Sequence, residues 1–97
     1  MILISKEADK IIIKGHANYS DSNDIVCASV SSIMYTTVNA ILRFNKNAIK
    51  FSDTKDKVTI TVLSDDETTE VLLINMMSLF MELASDYPKN IKIESEE

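Results

Sequence analysis

The chain has 97 residues, 45% of them hydrophobic and 26% charged, with a net charge of −5 at pH 7. That length specifies a single domain, 1–97, with a core of modest size. The acid excess argues against direct binding of nucleic acid, which needs a basic face to neutralise phosphates, and suits a basic partner instead.

Cys27 and His16 are the one cysteine and the one histidine. A lone cysteine cannot form an intramolecular disulfide, and the pair is too small a set for a structural zinc site. No metal and no cofactor are therefore expected. The start, Met1-Ile2-Leu3-Ile4-Ser5-Lys6, lacks the layout of a signal peptide. The most apolar stretch, 71–84, is interrupted by Asn75, Ser78 and Glu82 and falls short of the ~20 apolar residues a membrane span requires. A cytoplasmic protein without membrane contact is expected, where a reduced thiol is the default state.

Met1 to Ser5 reads as a strand and Glu7-Ala8-Asp9 as a turn. Lys10 to His16 carries Ile11, Ile12 and Ile13 and reads as a second strand, ending at Gly15-His16. Gly15 suits a sharp or close-packed backbone position. Asn18 to Asn23 is a polar loop. Asp24 predicts a helix N-cap, with Ile25, Val26 and Cys27 in the first turn. The helix runs to about Phe44. Val26, Val30, Ile33, Thr37, Ile41 and Phe44 recur at helical spacing and predict its core face. Its many β-branched residues lower intrinsic propensity, so packing must hold it.

Ala48 to Ser52 and Val58 to Leu63 predict two strands joined through residues 53–57. Val58, Ile60 and Val62 alternate with Thr59, Thr61 and Leu63, as in a sheet with one covered face. Ser64 or Asp65 predicts the N-cap of a second helix, with Asp66, Glu67 and Glu70 near its positive end. That helix runs to about Asp86, where Tyr87-Pro88 stops it. Ile91 to Glu94 predicts a last short strand, and 94–97 the one disordered tail. The order β-β-α-β-β-α-β predicts an α+β two-layer domain: a mainly antiparallel sheet with two helices on one face.

The second helix carries more apolar surface than one sheet can cover. Its three polar residues between 71 and 84 form one narrow stripe. The remainder needs either the first helix or a second copy of the chain, and a homodimer is expected.

A thiol and an imidazole eleven positions apart suggest a nucleophile and a general base. Taken singly, Cys27 reads as a small buried hydrophobe and His16 as a surface residue. Together they point to catalysis, because Cys27 falls at a helix start, where backbone N–H groups favour a thiolate. In that chemistry His16 takes the thiol proton, the sulfur attacks a carbonyl, and amides at the helix start stabilise the oxyanion. Asp24 is the N-cap and a candidate orienting residue. Ser31, one turn after Cys27, can hydrogen-bond near the site, although an ordinary polar helix residue reads the same way.

The runs Gly15-His16-Ala17, Asp24-Ile25-Val26-Cys27-Ala28 and Val30-Ser31 resemble the ribosomal-processing cysteine protease family, often called Prp. With the element order and the apolar second helix, the resemblance extends over nearly the whole chain. It implies a bacterial cytosolic homodimer, an endopeptidase that removes a short N-terminal extension from a large-subunit ribosomal protein precursor. The family's nucleophile falls on Cys27 and its base on His16, with Asp24 and Ser31 in supporting roles. The chain departs from the pattern at Asn18, where the family has Gly, and in the stretch 20–23, which is one residue shorter and lacks Gly. A non-catalytic, ribosome-associated binding module on the same fold is the alternative function; a redox-sensing thiol is a weaker third.

Overall fold

The computed structural model describes residues 1–16, 20 and 24–95. The elements are β1 (Ile2–Lys6), β2 (Lys10–Lys14), α1 (Ile25–Phe44), β3 (Ile49–Thr54), β4 (Lys57–Val62), α2 (Glu67–Asp86) and β5 (Ile91–Ser95), in the order expected. β5 continues through Glu94 and Ser95, so the disordered tail expected from 94 onward does not begin there. The expected polar loop, with its turn at Asn18, lies outside the described residues except for Ser20.

The strands form one sheet in the order β3-β4-β2-β1-β5. Two hairpins, β1–β2 and β3–β4, join through the antiparallel β2–β4 pair, while β5 returns parallel to β1. The parallel edge follows from α2, since a helical crossover brings the chain back to the same end of the sheet. Alternation then sorts the faces. Ile2, Ile4, Ile11, Ile13, Ile49, Ile60 and Ile91 are buried in the core. Paired positions keep the face continuous: Ile4 lies opposite Ile13, Ile11 opposite Ile60, and Ile4 opposite Ile93. Both helices pack on this face and on each other, giving the α+β two-layer arrangement.

α1 starts on Asp24, whose side chain accepts from the N–H groups of Val26 and Cys27. Its buried residues are Val26, Val30, Met34, Thr37, Val38 and Ile41. Compared with the expected face, the stripe is rotated toward Met34 and Val38. Ile33 is only half-buried, and Phe44 at the helix end is 55% exposed. The rotation turns α1 toward β3, where Tyr35 meets the ring of Phe51 edge-on at 6.0 Å. Thr37 is buried with its hydroxyl bonded to the carbonyl of Ile33, which satisfies the one polar group that face carries.

α2 is capped by Asp66, one or two residues beyond the expected Ser64 or Asp65. All three residue types cap well. Asp66 prevails because its carboxylate takes bonds from three groups: the N–H of Thr69 (2.8 Å), the hydroxyl of Thr69 (2.8 Å) and the hydroxyl of Ser64 (2.6 Å). Leu73, Met76, Met77 and Phe80 face the core, with Phe80 completely enclosed. Truncating such a phenylalanine typically costs about 3–5 kcal/mol. The opposite side exposes Val71, Ile74 and Met81, each more than half accessible.

Candidate active site

β2 ends at Lys14, and Gly15 turns the chain with φ +89°. A Cβ at Gly15 would lie 2.5 Å from the carbonyl oxygen of Met1. Glycine is therefore required twice over, by dihedral and by space. The turn delivers His16, exposed, to the end of the sheet beside α1.

On the helix side, Cys27 is half-buried in the first turn of α1. The carboxylate Oδ1 of Asp24 accepts from the N–H of Val26 and of Cys27, at 3.0 Å each. This fixes the backbone from which the thiol projects. It also narrows the expected oxyanion site, because the amides of Val26 and Cys27 already have a partner in the cap. A carboxylate there partly offsets the positive end of the helix as well.

His16, Cys27 and Ser31 line one cavity of about 200 Å³, together with Gly15, Met34, Tyr35 and the β3–β4 turn. Ser31 is exposed one turn beyond Cys27, on the same stripe. Thus the imidazole and the thiol, from the end of a strand and the start of a helix, open onto shared space. Asp24 serves the helix end from below.

Two wall residues, Tyr35 and Asp53, escaped the sequence reading. Tyr35 continues the stripe Cys27–Ser31 by another turn, and its hydroxyl donates to the carboxylate of Asp53 at the end of β3. That hydrogen bond, followed by burial and the adjacent negative charge, holds the phenol above its ordinary 10.0. Tyr35 thus stays a protonated donor through the neutral range. The hydroxyl of Thr54 closes the hairpin on the carbonyl of Lys57 at 3.0 Å. The i, i+4, i+8 spacing of Cys27, Ser31 and Tyr35 is visible in the sequence; the partner from β3 is not. Among the described residues no group of three or more His, Cys, Asp or Glu side chains is arranged to hold a metal ion.

The comparisons agree with this architecture. A ribosomal processing cysteine protease Prp from Staphylococcus aureus is 26% identical over 87 residues, covering 86% of this chain and 82% of that protein. A crystal structure of S. aureus Prp in complex with a covalently linked product peptide superposes with a TM-score of 0.90 at 21% identity, over 99% of this chain and 100% of that one. SMU.848 from Streptococcus mutans superposes with a TM-score of 0.77 at 20% identity, over 97% and 89% of the two chains. The sequence profile of cysteine protease Prp matches residues 2–92, nearly the whole length, and the chain belongs to that family of ribosomal processing cysteine proteases.

Proposed function

We propose that this chain is a cysteine endopeptidase that removes a short N-terminal extension from a large-subunit ribosomal protein precursor, with Cys27 as nucleophile and His16 as base. The observation that carries the proposal is the convergence of Cys27 and His16 on one cavity, from elements fixed by Asp24 and Gly15. The ribosomal processing activity named for the S. aureus relative supports the substrate class. The covalently linked product peptide in the S. aureus structure supports a covalent route.

His16 takes the proton from the Cys27 thiol, and the sulfur attacks the scissile carbonyl carbon. The C–N bond breaks, and the imidazolium protonates the departing amine of the mature protein. The extension remains as a thioester until water, deprotonated by His16, releases it. Ser31 supports the site as a hydroxyl donor near the developing negative charge, since the amides of Val26 and Cys27 are engaged by Asp24. The net charge of −5 favours a basic precursor over nucleic acid. The proposed place of action is the cytoplasm, without membrane attachment.

The working unit is a homodimer. On α2, Val71, Ile74, Ser78 and Met81 follow the 3-4 spacing of a helix–helix seam, and the three apolar members are exposed. Small Ser78 lets two such helices approach closely.

Incubation of purified protein with its own precursor, followed by mass spectrometry, tests the protease proposal. Cleavage by the parent chain and loss of at least 1,000-fold in Cys27→Ala and His16→Ala are expected, given the size of the effect when a nucleophile or its base is removed. Tight precursor binding without cleavage would favour the binding module. Reversible oxidation of Cys27 without cleavage would favour the redox thiol.

A further inference from the structure

We propose that Asp53, held by Tyr35, forms a substrate subsite for a cationic side chain three to four residues from the scissile bond. This rests on the protease reading of the same cavity and adds what its far wall recognises.

Spacing gives the position. Tyr35 lies eight residues beyond Cys27 on one stripe of α1, about 12 Å along the axis at 1.5 Å per residue. A substrate peptide bound in extended form advances about 3.3 Å per residue. A chain with its reacting carbonyl at Cys27 and running along this stripe therefore brings its third or fourth residue to the Tyr35–Asp53 pair. Both residues line the cavity that His16 and Cys27 share.

Charge gives the chemistry. Asp53 is at a helix-facing position of β3, two residues after Phe51, and lies opposite Val58 of β4. Lys55 and Lys57 of the β3–β4 hairpin also line this cavity. No lysine of the described residues forms an ion pair with Asp53. A carboxylate has about four acceptor sites, and the Tyr35 hydroxyl occupies one of them. The rest of its acceptor capacity, next to an exposed groove, suits the ammonium of lysine or the guanidinium of arginine. Tyr35 acts as a positioning residue. Its ring packs edge-on to Phe51, and its hydroxyl fixes which way the carboxylate faces.

The test uses a peptide spanning the cleaved bond of the chain's own large-subunit precursor. Variants carry lysine, norleucine or glutamate at the third and fourth positions on each side of that bond. For the parent enzyme, lysine at one of these positions should lower KM about tenfold relative to norleucine, with kcat unchanged, and glutamate should raise it. Asp53→Ala should abolish the difference between lysine and norleucine. Asp53→Asn should reduce it while leaving the Tyr35 hydrogen bond and Tm in place. Tyr35→Phe, which keeps the ring contact with Phe51, should weaken the preference for lysine over norleucine, read as the ratio of the two KM values. A parent enzyme indifferent to charge at all four positions would overturn the subsite, as would an unchanged lysine preference in Asp53→Ala. A parent chain that cleaves none of the peptides and not the intact precursor would instead overturn the protease reading beneath it.

Discussion

The carbonyl oxygen of Met1 occupies the space in which a side chain at Gly15 would begin, only 2.5 Å from an ideal Cβ. The start of β1 and the end of β2 are thereby locked together directly before His16. Gly15→Ala must both distort a φ of +89° and push two backbones apart. A loss of about 1–3 kcal/mol is expected, read from denaturant unfolding. Catalysis should fall further than stability, because His16 moves with the turn. A variant with unchanged stability would show that the contact relaxes without cost.

Asp24 has a role that substitution can define. Asp24→Ala should cost about 1 kcal/mol, through loss of the cap on Val26 and Cys27. Asp24→Asn preserves a capping oxygen, so stability and most peptide cleavage should survive. A carboxylate needed to orient His16 would give the opposite pattern, with Asp24→Asn as inactive as Asp24→Ala. Paired thermal melts and kcat measurements distinguish the two.

Acid should loosen α2 at its start. The hydroxyl of Ser64 and the N–H of Thr69 hold the Asp66 carboxyl below its ordinary 3.8. A carboxyl depressed in the folded state contributes stability that is complete above its unfolded value. That contribution is lost as pH falls through the lower, folded value. Asp66→Asn should therefore lower Tm at neutral pH, and the gap from the parent should narrow below pH ~3.8. A gap that stays constant down to strongly acid pH would mean that the cap's charge contributes nothing.

The proposed dimer seam makes a separate claim. Ile74 and Met81 are 58% and 54% exposed on α2, away from the core. Ile74→Lys and Met81→Lys should convert a dimer to a monomer in light scattering, with little change in the monomer's secondary structure. An unaltered dimer mass in both variants would move the interface elsewhere.

Much of the molecule was legible because local chemistry wrote it plainly. The seven elements follow from apolar periodicity and from punctuation at Gly15, Asp24 and Pro88. The cap on α1 was legible because Asp24, although preceded by Ser22 and Asn23, stands directly before the apolar run Ile25-Val26. The cap on α2 was not, since Ser64, Asp65 and Asp66 are all good caps and the buried Thr69 decides among them. The buried stripe of α1 differs from the periodic one by a partial turn, with Met34 and Val38 buried, because the side on which α1 meets the sheet and α2 is a long-range choice. Sheet order and the parallel β1–β5 pair are long-range choices with no local signature. The candidate pair, His16 and Cys27, stood out as singular residues near one another. Asp53 did not, because one more aspartate in a charged hairpin reads as solvated surface until Tyr35 is seen to hold it.

The central claim concerns the sulfur of Cys27, and acid-quenched intact mass spectrometry during turnover measures it directly. The account predicts a transient gain equal to the acyl mass of the released extension, located on Cys27 by peptide mapping. It further predicts that the gain disappears in Cys27→Ser and slows sharply in His16→Ala. Full-rate cleavage of the precursor by folded Cys27→Ala protein would contradict it.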